Sequence, residues 1–362
     1  MKNDRFHWMR HHPYETTSRA VGFSTTSTSA DRALVARIAA AFKRVDPWAS
    51  YGADSPWLSI AQSNQREVFD VLARDDLDAI AGLLSRPSEN YLFYGFEDVY
   101  RGRKEWYKHT PGAAQGYADR CHDLLIRLAE AIGALRVENP EGGSWGENLH
   151  LSPDDVMHLI ESAFGIDISP PRVFGDVCGL QTRSGIITER LINGLYGAWR
   201  VRQLVGDKPD ATILEIGAGL GWLAYYSYKL GMVNYTIVDL PLTNVSQAYF
   251  LGAALGADKI TLAGEKPMPG QIRIGTTGAV QEGAPERYSL VVNMDSLTEV
   301  GKQVAEQYWA LLGPRCSRFL SINHEVNSYT TKDIVAAGPK PRFVFRQPYW
   351  LRNGYVEELM EM

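Results

Sequence analysis

Apolar residues recur at steps of three and four along the first half of the chain and in short, closely spaced runs along the second. Behind Asp31, which has a side chain suited to capping a helix, Leu34, Val35, Ile38, Ala39 and Phe42 repeat at helical spacing. Similar steps recur over Val68–Leu84, Ala118–Ile132 and Pro153–Phe164, so residues 31–178 are expected to form a mostly helical domain. The residues before them are polar and end in Thr25-Thr-Ser-Thr-Ser-Ala30. Such a stretch buries too little apolar surface to fold alone, and 1–30 reads as an arm.

A bridging segment, Gly179-Leu-Gln-Thr-Arg-Ser-Gly-Ile-Ile-Thr188, leads into a helix expected from about Glu189 to Leu204. Beyond it, β-branched runs alternate with amphipathic stretches. The runs are Ala211–Ile216, Tyr235–Val238, Lys259–Leu262, Ser289–Met294, Phe319–Asn323, Arg342–Arg346 and Tyr355–Met360. Strands alternating with helices predict an α/β domain over 179–362 with a mostly parallel sheet of seven strands. The last two runs are joined only by Gln347–Gly354, so they are expected to form an antiparallel hairpin at one edge. There is no internal repeat and no long low-complexity tract.

One strand-turn-helix unit carries candidate chemistry. In Thr212-Ile-Leu-Glu-Ile-Gly-Ala-Gly-Leu-Gly-Trp-Leu223 the strand runs into Gly217, Gly219 and Gly221. Glycines there let the backbone approach a ligand closely, with Ala218 beside it. About twenty residues further, the strand Tyr235-Thr-Ile-Val-Asp-Leu-Pro241 delivers Asp239 and Leu240 at its carboxyl end, where an acid can accept both hydroxyls of a ribose. A nicotinamide dinucleotide and an adenosyl sulfonium would both use that acid. The position after Gly221 separates them: a dinucleotide turn wants a third glycine for close helix packing, and this chain has Trp222.

Composition narrows the partners. Hydrophobic residues make up 45% and charged residues 22% of 362, enough to bury a sizeable core. A net charge of −5 offers no field to neutralise a phosphate backbone, so a small-molecule substrate is expected rather than nucleic acid. Cys121, Cys178 and Cys316 are too far apart for a disulfide framework or paired metal spacing, as expected in a reducing cytoplasm. Met1-Lys-Asn-Asp-Arg-Phe-His-Trp8 has no apolar run after its charges, and no stretch approaches the length of a membrane span. A cytoplasmic protein without membrane contacts is therefore expected, with a homodimer compatible with the reading.

Leu214-Glu-Ile-Gly-Ala-Gly-Leu-Gly-Trp-Leu-Ala224, Tyr235-Thr-Ile-Val-Asp-Leu-Pro-Leu-Thr-Asn244 and Asn293-Met-Asp-Ser-Leu-Thr-Glu299 together resemble the bacterial sugar O-methyltransferases, within the class I S-adenosylmethionine-dependent methyltransferases. The resemblance runs from about Gly179 to the C-terminus. It implies a Rossmann-like sheet, S-adenosylmethionine as cofactor, and a hydroxyl of a sugar or glycosylated metabolite as acceptor. It further implies that Glu215 holds the amino end of the methionine moiety, with Asn293, Asp295 and Ser296 in the same pocket.

Methyl transfer to oxygen needs a group that removes the acceptor's proton, and in an open sheet it should project from the carboxyl ends of the central strands. Asn293, Asp295, Ser296 and Glu299 follow one such strand; Asn323, His324 and Glu325 follow the next. His324 is the first expectation for the base and Asp295 its rival. The same carboxylates could hold Mg²⁺ but could equally pair with solvent or cap the next helix, and no metal is expected. Arg183 is a candidate clamp for the cofactor carboxylate. Tyr91-Leu-Phe-Tyr-Gly-Phe96 and Glu105-Trp-Tyr107 could stack on an acceptor ring, although aromatics more often belong to a core. His11, His12 and His150 show no zinc spacing. Three rivals stand beside this reading: an NAD oxidoreductase using the same crevice, a binding protein that has lost turnover, and a methyltransferase acting on a phenol, carboxylate or nitrogen.

Overall fold

The computed structural model describes residues 19–24, 30–48, 50–74, 76–139, 141, 146–206, 208, 210–280 and 285–362. Most of the polar arm expected over 1–30, with His11 and His12, lies outside the described residues.

A short strand β1 (Val21–Phe23) precedes seven helices: α1 (Arg32–Phe42), α2 (Pro56–Ser63), α3 (Arg66–Ala73), α4 (Leu77–Ser85), α5 (Arg101–His109), α6 (Ala113–Ala131) and α7 (Pro153–Phe164). The α1 cap is as expected, Asp31 accepting from the Ala33 N–H. The apolar pattern over Val68–Leu84 is two helices, because the Asp76 side chain accepts from the N–H groups of Asp78 and Ala79 and starts a new one. The bridging segment is a hairpin of β2 (Cys178–Gln181) and β3 (Ile186–Ile187), and β1 pairs antiparallel with β2. Next come α8 (Glu189–Val205), β4 (Ile213–Ile216), α9 (Trp222–Lys229), β5 (Tyr235–Val238), α10 (Pro241–Leu255), β6 (Ile260–Thr261), β7 (Ile272–Gly275), β8 (Tyr288–Met294), α11 (Lys302–Leu312), β9 (Cys316–His324), α12 (Thr331–Ala336), β10 (Phe343–Pro348) and β11 (Tyr355–Glu361).

The large sheet has the order β10-β11-β9-β8-β4-β5-β7-β6. β4 pairs parallel with both β5 and β8, and β9 continues parallel beyond β8. β11 enters antiparallel between β9 and β10, so the expected Rossmann-like sheet with its C-terminal hairpin is present. It has eight strands where seven runs were read. The additional one, β7, offers only Ile272 and Ile274 around Arg273, too short an alternation to stand out after the turn-forming Pro267-Met-Pro-Gly270. It displaces Lys259–Leu262, of which only Ile260–Thr261 pairs, to the sheet edge. From β4 the chain lays strands outward on one side and then returns to place β8 on the other, and the crevice at that switch point, outside the carboxyl ends of the parallel strands, is where an open α/β sheet binds ligands.

The helical half is joined to the sheet by a common core. One hydrophobic cluster runs from Leu34, Phe69 and Leu84 through Leu125 and Ile160 to Tyr226, Phe250 and Ile237. Leu34 of α1 lies over Gly252 of α10, where a β-carbon would meet its methyls at 2.9 Å.

Candidate functional site

At the switch point lies a cavity of about 290 Å³, walled by both halves of the chain. Its floor is the unit singled out in the sequence. Glu215, the last residue but one of β4, is buried and lines the cavity. The turn then passes through Gly217, Gly219 and Gly221 at φ of 68°, 57° and 100°. These are left-handed conformations that a β-carbon strains. At Gly217 a β-carbon would also collide with the side chain of Ser296. Gly221 then serves as the N-cap of α9.

Glu215 and Asp239 share an unusual situation. The Tyr235 hydroxyl donates to Glu215 Oε2 at 2.8 Å, yet burial pushes that carboxyl up to about 8. Asp239 accepts from the Leu240 N–H at 2.7 Å and from Gln247 Nε2 at 2.7 Å, with the N–H groups of Gly219 and Ala218 also facing it. Burial still raises it to about 7. Among the described residues no basic side chain pairs with either acid. The cavity floor therefore holds two desolvated carboxyls with no cation beside them, a setting that suits a ligand bringing donors or positive charge. A diphosphate would bring the wrong sign.

The opposite wall is built from distant parts of the chain. Trp57 is the second residue of α2, Phe96 follows Gly95, Arg190 and Asn193 come from the N-terminal part of α8, Asp295 and Glu299 follow β8, and Tyr349, Arg352 and Tyr355 belong to the C-terminal hairpin. Asp295 has a left-handed backbone, φ 59°. Its Oδ2 accepts from Arg352 Nη1 at 2.7 Å and Arg190 Nη1 at 3.1 Å, and its Oδ1 accepts from the Tyr355 hydroxyl at 2.7 Å. Burial alone would raise this carboxyl, but the two guanidiniums overcome it and hold the group down at about 2. Arg352 also lies over the Tyr355 ring at 3.9 Å and reaches Glu189 at 3.4 Å.

Glu299 differs. Its Oε1 meets His324 Nε2 at 2.9 Å and its Oε2 accepts from Trp57 Nε1 at 3.2 Å. Burial raises this carboxyl, and the two donors only partly offset the rise. Glu299 is on the cavity wall and His324 stands behind it, with Nδ1 turned toward the Val326 N–H at 3.4 Å. The histidine expected as base is thus one residue removed from the cavity, and the carboxylate in front of it was not singled out for that role.

The remaining sequence candidates divide cleanly. Ala218, Leu240 and Ser296 line the cavity. Asn293 is fully buried in a tie between strands: its Nδ2 donates to the Ile216 carbonyl at 2.8 Å, and its Oδ1 accepts from Asn323 Nδ2 at 2.7 Å. Arg183 lies in the hairpin turn away from the cavity, its side chain 90% exposed and paired with Asp154. Arg190, seven residues further on, lines the cavity instead. Trp222 does not block the crevice. Its Nε1 donates to Glu97 Oε2 at 2.8 Å while its ring packs on Phe250, centroids 4.7 Å apart. Burial raises Glu97 to about 7. Of the aromatic run at 91–96, Leu92 and Phe93 are core and Phe96 reaches the cavity. Ligating atoms of Asp295, Glu299 and His324 lie within 4.8 Å of one another, a spacing a cation could use, but Arg190 and Arg352 already supply positive charge at that point.

No signal in the sequence marked Trp57, Arg190, Tyr349, Arg352 or Tyr355. Each sits in an ordinary helical or hairpin context and gains its place only from the fold.

No family model matches the chain, and no curated protein sequence does. Solved structures do resemble it. The magnesium protoporphyrin IX methyltransferase of Synechocystis PCC 6803, with bound SAM, is 12% identical over 48% of this chain and 85% of that one, at a TM-score of 0.31. A 16S rRNA methyltransferase of T. thermophilus is 15% identical over 49% and 44%, at 0.33. The mitomycin 7-O-methyltransferase is 12% identical over 72% and 99%, at 0.29.

Proposed function

We propose that this chain is an S-adenosylmethionine-dependent O-methyltransferase acting on a hydroxyl of a small molecule, with a sugar or glycosylated metabolite as the acceptor class that the sequence resemblance favours. The observation that carries the reading is the pair of buried acids, Glu215 and Asp239, left without a cationic partner on either side of the glycine turn. An adenosyl ligand with an amino-acid tail would suit both acids: Glu215 would hold its ammonium, and Asp239 would accept from its ribose hydroxyls. Arg190, which lines the same cavity, would hold the tail's carboxylate, in place of Arg183.

When bound, S-adenosylmethionine supplies a methyl group already activated on a sulfonium. The chain's own residues do the rest. Glu299, the wall carboxylate that no guanidinium holds, accepts the proton of the acceptor hydroxyl, and its raised affinity for a proton suits it to the task. His324 fixes the carboxylate from behind. Asp295, at about 2 and shared by two guanidiniums, is too weak a base and instead holds Arg190 and Arg352 in place. Trp57 and Phe96 bring the helical half over the cavity and so bear on which acceptor enters.

A thermal-shift comparison tests the assignment. S-adenosylhomocysteine at a hundred times its Kd should stabilise the chain by about 2.7 kcal/mol, and NADH at the same concentration should leave the midpoint unmoved. The reverse ranking would make the chain an NAD-dependent oxidoreductase.

A further inference from the structure

The loop bearing Glu299 is gripped by a segment remote from it in sequence. Ser55 Oγ donates to the Glu299 carbonyl at 2.8 Å, and the Lys302 N–H at the start of α11 donates to Asp54 Oδ2 at 3.0 Å. Gly52 packs so tightly on the Val300 carbonyl that no β-carbon fits between them. From the same segment, Trp57 Nε1 donates to Glu299 Oε2. Its indole is confined in turn by Gly95, where a β-carbon would lie 2.8 Å from two of its ring carbons.

This arrangement does more than join two surfaces. A carboxylate held by one oxygen can still rotate about its terminal bond. Glu299 is held by both: His324 takes Oε1 and Trp57 takes Oε2. Its plane is therefore fixed by one donor from β9 and one from the helical half, and each oxygen keeps a lone pair for another proton donor. We propose that Trp57 is a positioning residue for the base, setting the orientation and proton affinity of the Glu299 carboxylate; this rests on the methyltransferase reading above. The helical half then acts on the chemical step as well as on the shape of the acceptor site.

The ionisable groups that bear on Glu299 are His324 from β9, Asp295 from the end of β8 and Tyr329 from the segment after β9. Trp57 carries no charge. It influences the titration only through its N–H, which favours the ionised carboxylate.

The test is a pH titration of the full chain with bound S-adenosylhomocysteine, following the ¹³C carboxyl resonance of Glu299 and the ¹⁵N–H resonance of the Trp57 indole. In the wild type the two should move with one midpoint, and Glu299→Gln should remove the pH dependence of the indole signal. Trp57→Phe, which keeps the ring but loses the donor, should raise the Glu299 midpoint by roughly half to one pH unit. An indole resonance that stays flat through the carboxyl titration overturns the proposal, and so does an unchanged midpoint in Trp57→Phe. The wild-type measurement decides the matter even where the variant folds poorly. If the wild type fails to bind S-adenosylhomocysteine, the methyltransferase reading falls, while the same titration on the unliganded chain still decides whether Trp57 governs Glu299.

Discussion

Glu215, the glycine turn and Asp239 belong to a single strand-turn-helix-strand unit. The groups facing them across the cavity are gathered from α2, α8, the loop after β8 and the C-terminal hairpin. The two walls also differ in charge. The floor leaves its acids without cations, whereas Asp295 opposite is bound by two guanidiniums. A floor with unmet needs selects its ligand by what the ligand must bring. A wall whose charges are already paired selects by shape and by the few groups that keep a free lone pair, of which Glu299, held by His324 and Trp57 but by no guanidinium, is the clearest.

The strongest way to break this contrast is to fill the floor. Gly217→Val combines a left-handed backbone with a collision against Ser296, and it should abolish S-adenosylhomocysteine binding by calorimetry and destabilise the chain by about 1–3 kcal/mol. Retained binding would show that the turn does not shape the pocket. Asp239→Ala should weaken binding roughly tenfold to a hundredfold through loss of a charged acceptor, and an unchanged Kd would remove Asp239 from the site.

The same contrast sets a pH dependence. Glu215 sits near 8 because the neutral acid is favoured in its buried place, so at lower pH it cannot balance a ligand ammonium. Affinity for S-adenosylhomocysteine should therefore rise by roughly tenfold from about pH 6 to about pH 7 and flatten above about pH 8 as the group becomes ionised. A flat or falling profile from calorimetry would argue against an ammonium at Glu215. The smallest effect is expected at Arg183, exposed and paired with Asp154. Arg183→Ala should leave the Kd within a factor of two, since an exposed pair is worth about 0–1 kcal/mol and lies off the cavity.

The contrast also explains what the sequence discloses. Glycine spacing, a strand-end acid and alternating apolar runs are local signals, so the floor and most of the sheet are legible in the sequence. β7 was not, because two isoleucines around an arginine give no usable period. The opposite wall depends on which residues meet when α2 and the C-terminal hairpin converge, and no local pattern encodes such a meeting. His324 illustrates the gap. Its place at the end of β9 was readable, but that Glu299 would stand between it and the cavity was not. Arg183 and Arg190 show the same thing on one segment: seven residues and a hairpin turn decide which guanidinium reaches the pocket.

The hydrophobic cluster shared between the helical half and the sheet has a kinetic consequence. Swinging the helices away as a rigid hinged flap would bare apolar side chains on both partners at about 25 cal/mol for every Å² exposed, a barrier that grows with each contact broken. Local excursions of cavity-lining side chains such as Trp57 and Phe96 would open a path while baring far less apolar surface.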